Sequence, residues 1–195
     1  MDFSEEFLRV LCAGKVIGDF PPFDSGTIED VKEYIKHILG QIGARKDVFV
    51  NGDFNSYGSG FASYVSVKIS RKDKTDTSVK INGNKRTEWT EGLEIYISTL
   101  SPFWFWGGSE WTVNYEDERR TGGSSGFLRP ESIHEIKLEM WSEKIRVISK
   151  IFDDFGYVLL KPEQLKKSLW FDVKIPTVLA GESYKVFDCF FYWED

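Results

Sequence analysis

Two histidines, two cysteines and thirty-one carboxylates are the groups from which acid–base, nucleophilic or metal chemistry would have to be built. His37 and His134 both fall on predicted helices, off the apolar stripe, with no second ligand-type residue beside them at metal spacing. They read as solvated helix positions, and no structural zinc is expected. Cys12 and Cys189 lie at opposite ends of the chain with no Cys-x-x-Cys pattern, and Cys189, within an aromatic run, reads as a small buried hydrophobe. Gly122-Gly123-Ser124-Ser125-Gly126 matches the letters of a nucleophile elbow. That motif needs an apolar strand before the serine and a helix directly after it. Here Glu116-Asp117-Glu118-Arg119-Arg120 precedes it and Pro130 delays the helix, so a surface loop is expected. Gly58-Ser59-Gly60 and Gly83-Asn84-Lys85 each lack a glycine that a phosphate-binding loop requires, and no cofactor is expected. Glu116 to Glu118 and Asp153-Asp154 are the clustered acids. General acid–base work needs two carboxylates in different environments facing one substrate, which adjacency alone does not supply.

The most distinctive group is aromatic. Seven Trp, sixteen Phe and eight Tyr bring aromatics to 16% of the chain, and such side chains form either bulky cores or anchor surfaces. In a strand through Phe103-Trp104-Phe105-Trp106, the phenylalanines face one side and the tryptophans the other. The tryptophan side must be covered by a helix, a partner or a ligand. A partner-binding patch is therefore expected at Trp104, Trp106, Glu110, Trp111, Glu116, Asp117 and Glu118, since an aromatic centre with a charged rim is the anatomy of a protein interface. The alternatives are a sheet buried on both faces, a homo-oligomer contact, and a cleft around Trp104, Trp106 and Trp111 that takes a sugar or other small molecule, with or without carboxylate catalysis.

A net charge of −6 argues against nucleic acid, whose phosphates demand clustered cations. The densest basic stretch, Arg71-Lys72-Asp73-Lys74, is short and contains an acid, so it reads as a solvated turn. The same charge suits a basic protein partner. No apolar run approaches the roughly 18 residues of a membrane span. Acids at Asp2, Glu5 and Glu6 stand where a signal peptide would be basic, so a cytoplasmic protein is expected.

The elements that must position these residues follow from periodicity. Ser4 caps a short helix closed near Gly14. Thr27 starts a second, with Ile28, Val31, Ile35, Ile38, Leu39 and Ile42 at helical spacing. From Asp47 the period changes to two, and about five strands follow to Tyr115. Asn82-Gly83 marks a hairpin, and 116–126 reads as a charged, glycine-rich loop. Ile133, Ile136, Met140, Trp141, Ile145, Ile148, Phe152 and Phe155 predict one long helix of about 25 residues, which would span a small domain. A strand at Tyr157–Leu160, a short helix at Pro162–Ser168 and a final strand at Phe187–Trp193 complete the chain. Strands in the middle with helices at both ends predict a single α+β domain over residues 1–195: a central antiparallel meander, helices near the N-terminus, and the long helix packed on one face.

Phe155 to Leu160, Phe171-Asp172-Val173 and the terminal stretch Val186 to Asp195 resemble, in texture, immunity proteins of bacterial polymorphic toxin systems. The resemblance covers about the last 40 residues and carries no shared catalytic residues. It implies a cytoplasmic binder that neutralises a cognate toxin by occluding it.

Overall fold

The computed structural model describes residues 3–129, 138–178, 181 and 183–195. Helix α1 (Glu5–Cys12) begins at Ser4, whose hydroxyl accepts from the Phe7 amide at 3.2 Å. Helix α2 (Ile28–Gly43) begins at a reciprocal capping box: Thr27 Oγ1 accepts from the Asp30 amide, and the Asp30 carboxylate accepts from the Thr27 amide. Each cap satisfies amide donors that a helix start leaves orphaned. Strands β1 (Val48–Asp53), β3 (Tyr64–Arg71), β5 (Lys85–Ser98), β6 (Phe103–Glu116) and β7 (Arg119–Ser125) lie side by side in that order, antiparallel throughout. The fold is mixed helix and strand around a mainly antiparallel sheet. The exception is β8 (Val158–Leu159), which runs parallel to β6 at Phe103 and Trp104.

Two strands are long enough to serve two neighbours each. The half of β5 from Leu93 to Ser98 pairs with β3, and the half from Lys85 to Thr90 pairs with β4 (Thr77–Asn82). Likewise β6 pairs with β8 at its start and with β7 from Trp111 onward. The outer halves of β5 and β6, flanked by β4 and β7, therefore leave the body as a four-stranded arm. The β4–β5 hairpin forms where Asn82-Gly83 predicts one, with Asn82 paired to Lys85, so Gly83 and Asn84 are the two turn residues. Gly83 takes a φ of +63°, as the first position of such a tight turn requires.

Period-two alternation sorts the sheet into two faces. Val65, Val67, Ile69, Leu93, Ile95, Ile97, Trp104 and Trp106 face α2 and α3 (Leu138–Asp154), joining Val31, Ile35, Ile38, Trp141, Ile148 and Phe152 in one core. Helix α3 has 17 described residues, shorter than the expected helix, whose first part (130–137) lies outside the described residues. Tyr64, Tyr96, Phe103 and Phe105 face the opposite core with Leu8, Leu11 and the C-terminal residues Val186 to Tyr192. The sheet body is thus buried on both sides.

The end of the chain departs from the expected strand. Val186–Phe190 is a one-turn helix, α5, with the Asp188 carboxylate accepting from the Lys185 amide at 2.7 Å. Only Trp193–Glu194, β9, is extended, paired with β2 (Phe61–Ala62). Every residue from Val186 to Tyr192 is buried, so an apolar run wetted on no side has no period to read. The segment at Pro162–Ser168 forms the short helix α4 (Pro162–Leu165). Among the described residues no helix is long and apolar enough to cross a membrane.

Candidate functional site

The expected patch is pulled apart by the architecture. Trp104 is fully buried, its ring stacked on Phe152 of α3 at 4.1 Å, and Trp106 is buried in the same core. Both are removed from any surface, because α3 covers the face to which alternation points them. Glu116, Asp117 and Glu118 lie at the far end of the arm. Ten residues at about 3.3 Å each separate Glu116 from Trp106, about 33 Å along the strand. Nor is 116–126 a loop: Glu116 pairs with Arg119 across a two-residue turn, and β7 continues through the glycines and serines. Asp117 and Glu118 adopt φ of +48° and +61°, the left-handed pair that a tight hairpin turn demands. Their charges are engaged within the arm. Glu118 meets Arg86 at 3.1 Å, Glu116 meets Lys85 at 3.8 Å, and Asp117 accepts from the Asn84 amide group at 3.1 Å. This is a turn built of acids, two of which face cations of the arm.

Glu110 and Trp111 remain at the surface, midway along β6. Both line a groove of about 1330 Å³ that also takes in Trp89, Thr90, Glu91 and Ser109. Glu110 stands directly across from Glu91, and like charges so placed oppose the pairing. The Trp111 ring lies over Gly92, where an added Cβ would sit 2.2 Å from it.

Two features were not legible in the sequence. The first is the free side of β4: Val79 is 49% exposed and Ile81 70%, on a strand that pairs only with β5 among the described residues. Trp89, on the adjacent strand, is 40% exposed. Around Val79 and Ile81 run charged groups, with Glu88 between Lys74 and Arg86 at 3.6 Å from each, and Arg86 over the Tyr115 ring. The second is a polar cluster on the sheet face opposite α2 and α3. Glu94 is 1% exposed and accepts from the Ser66 hydroxyl at 2.7 Å, while its second carboxylate oxygen has no hydrogen-bond partner among the described residues. Lys68 is its direct cross-strand neighbour. Burial pushes the Glu94 carboxyl above the usual range and the Lys68 ammonium below it, each toward its neutral form. Beside them the Tyr57 hydroxyl donates to that of Tyr64 at 3.2 Å, and the Tyr96 hydroxyl accepts from the Leu128 amide.

Cys12 and Cys189, distant in sequence, meet with their sulfurs 3.2 Å apart. His37 is exposed on α2, and His134 lies outside the described residues. No group of three or more metal-ligating side chains occurs among the described residues. No family model, no curated protein and no solved structure matches the chain.

Proposed function

We propose that the chain is a non-catalytic binding protein that takes a protein partner along the free edge of β4, in the manner of an immunity protein occluding a toxin. The observation that carries this is the exposure of Val79 and Ile81 on an edge strand. Such an edge presents unpaired backbone groups, which proteins ordinarily blunt or cover. A partner strand added there gains main-chain hydrogen bonds, with alternate side chains packed on the apolar pair. Lys74, Arg86, Glu88 and Glu118 form the polar rim. The net charge of −6 favours a basic partner through steering over the whole molecule. A cytoplasmic location fits this role.

The test is a pull-down against the product of the adjacent gene. Wild-type chain is expected to retain it. Ile81→Asp and Val79→Asp together should weaken retention by at least about tenfold, the loss of one good anchor, with the circular dichroism spectrum unchanged. No retention by the wild-type chain, or equal retention by the double variant, sinks the proposal.

One observation favours a second reading, a small-molecule or carbohydrate site. Glu94 is buried with an unpartnered oxygen, and Trp111 and Ser109 line the neighbouring groove. Ligand burial there would shift tryptophan emission, and a flat response across a saccharide panel would remove this reading.

A further inference from the structure

The two cysteines have no part in the proposed binding edge, yet the fold brings them together from a separation of 177 residues. Cys12 closes α1 and Cys189 lies inside α5, and these two helices pack against each other in the core on that side of the sheet. Both thiols are free, buried and 3.2 Å apart. A disulfide bond is about 2.05 Å long, so bonding requires an approach of only about 1 Å between side chains that already point at each other. The pair is also asymmetric. Cys189 is fully buried, whereas Cys12 keeps 7% exposure, so a small reagent reaches Cys12 first.

We propose that Cys12 and Cys189 form a redox-modification site, a dithiol that a small peroxide converts to a buried disulfide. The Cys12 thiolate attacks one peroxide oxygen, the O–O bond breaks, and a sulfenic acid forms at Cys12 as the other oxygen leaves as hydroxide, which takes up the proton the thiol had released and becomes water. The Cys189 sulfur then attacks the Cys12 sulfur, the S–O bond breaks, and a second water leaves with the Cys189 proton. In sum, two thiols and one hydrogen peroxide give one disulfide and two waters. The contact with Cys189, with Arg9 adding to it, holds the Cys12 thiol below its ordinary value, which suits Cys12 to the first step. The same contact raises the Cys189 thiol, a hold that ends once the Cys12 sulfur carries oxygen in place of its charge. Once formed, the bond ties α1 to α5.

Hydrogen peroxide on the full-length wild-type chain, quenched and read by intact mass spectrometry, tests the site. A mass loss of about 2 Da is expected, matching two hydrogens removed. Titratable thiols in denaturant should fall from two to zero, the chain staying monomeric on a non-reducing gel and recovering with reductant. The thermal midpoint of the oxidised form should rise by roughly 5–15 °C, as a cross-link closing so long a loop predicts. In Cys189→Ser a sulfenic-acid trap should label Cys12, and Cys12→Ser should take no label. Wild-type chain that keeps both thiols under peroxide sufficient to oxidise free cysteine overturns the proposal, as does oxygen gained without the mass loss. The wild-type mass requires no variant, so a variant that fails to fold leaves the test intact.

Discussion

Removing the Trp104 side chain separates a core tryptophan from an interface tryptophan. Trp104 is fully buried, stacked on Phe152 at an interplanar angle of 16°, and surrounded by the core that α2 and α3 share with the sheet. Truncating such a ring to alanine costs about 3–5 kcal/mol through lost transfer energy and the cavity left behind. About 0.5–1.5 kcal/mol of that belongs to the ring–ring contact itself. For a chain of this size each kcal/mol moves the thermal midpoint by about 2–4 °C, so Trp104→Ala should lower it by roughly 6–20 °C. Trp104→Phe provides an internal control. It keeps a ring against Phe152 and removes an indole N–H that has no hydrogen-bond partner among the described residues. An unsatisfied buried donor is itself costly, by about 1–3 kcal/mol, so the phenylalanine variant should lose less than about 2 kcal/mol. Urea unfolding followed by far-ultraviolet circular dichroism measures both, and a shift in midpoint at constant slope identifies a pure stability change. Trp89→Ala, at a position 40% exposed, should by contrast stay within about 1 kcal/mol of wild type. A Trp104→Ala chain as stable as wild type that had lost its partner would return this ring to an interface and refute the assignment.

Three further outcomes follow from the same contacts. Asp47 is held down to about 2 by hydrogen bonds from Arg45 and then Lys144, the latter reaching from α3 at 3.0 Å. A depressed carboxylate stabilises the fold above its unfolded value of about 3.9 and loses that contribution as pH falls toward 2. Urea midpoints at pH 4 and pH 2 should show a larger loss in wild type than in Asp47→Asn, which keeps the depressed Asp30 and Asp73, the difference being under about 1 kcal/mol because the side chain is 41% exposed. Glu94 has the opposite sign: its raised value means that its contribution is fully present below the unfolded pKa and is lost as pH rises through the folded one. Glu94→Gln, which keeps an acceptor for the Ser66 hydroxyl, should therefore raise the urea midpoint at pH 7, with the gain shrinking on acidification; no gain at pH 7 would refute the buried charge. Gly92→Ala would place a Cβ 2.2 Å from the Trp111 ring and 2.7 Å from the Ile69 carbonyl oxygen, and should cost about 1–3 kcal/mol in the same assay.

Much of the fold is local and so was open to reading in the residue order. Ser4 and Thr27 announce their helices by capping chemistry, and the alternation of Val65, Val67, Ile69 and Leu93, Ile95, Ile97 marks strands and their inward face. Where composition and pairing disagree, pairing wins. Arg119–Ser125 looks like a loop because its side chains are charged or small, but it is a strand because β6 offers its backbone a ladder. The candidate site was less accessible. That Trp104 is core depends on α3 crossing that face, and that Glu94 is withdrawn from water on the other depends on strand pairing that sets Ser66 and Lys68 beside it and the Trp111 ring over Lys68. Both are contacts between segments far apart in sequence, and residue spacing does not encode them. The Cys12–Cys189 meeting belongs to the same class.

The continuity of β5 and β6 from body to arm has a kinetic consequence. Their ladder starts at Ile97 opposite Trp104, next to the connecting turn and within the core, and ends at Lys85 opposite Glu116. Closing it from the short-range end outward makes the tip the last part to zip and the first to fray, since the pairs there have few buried neighbours to hold them. Amide exchange should grade along both strands, slow beside Trp104 and fast beside Glu116. The arm can thus be reshaped by whatever it touches while the hydrogen bonds of the body stay closed.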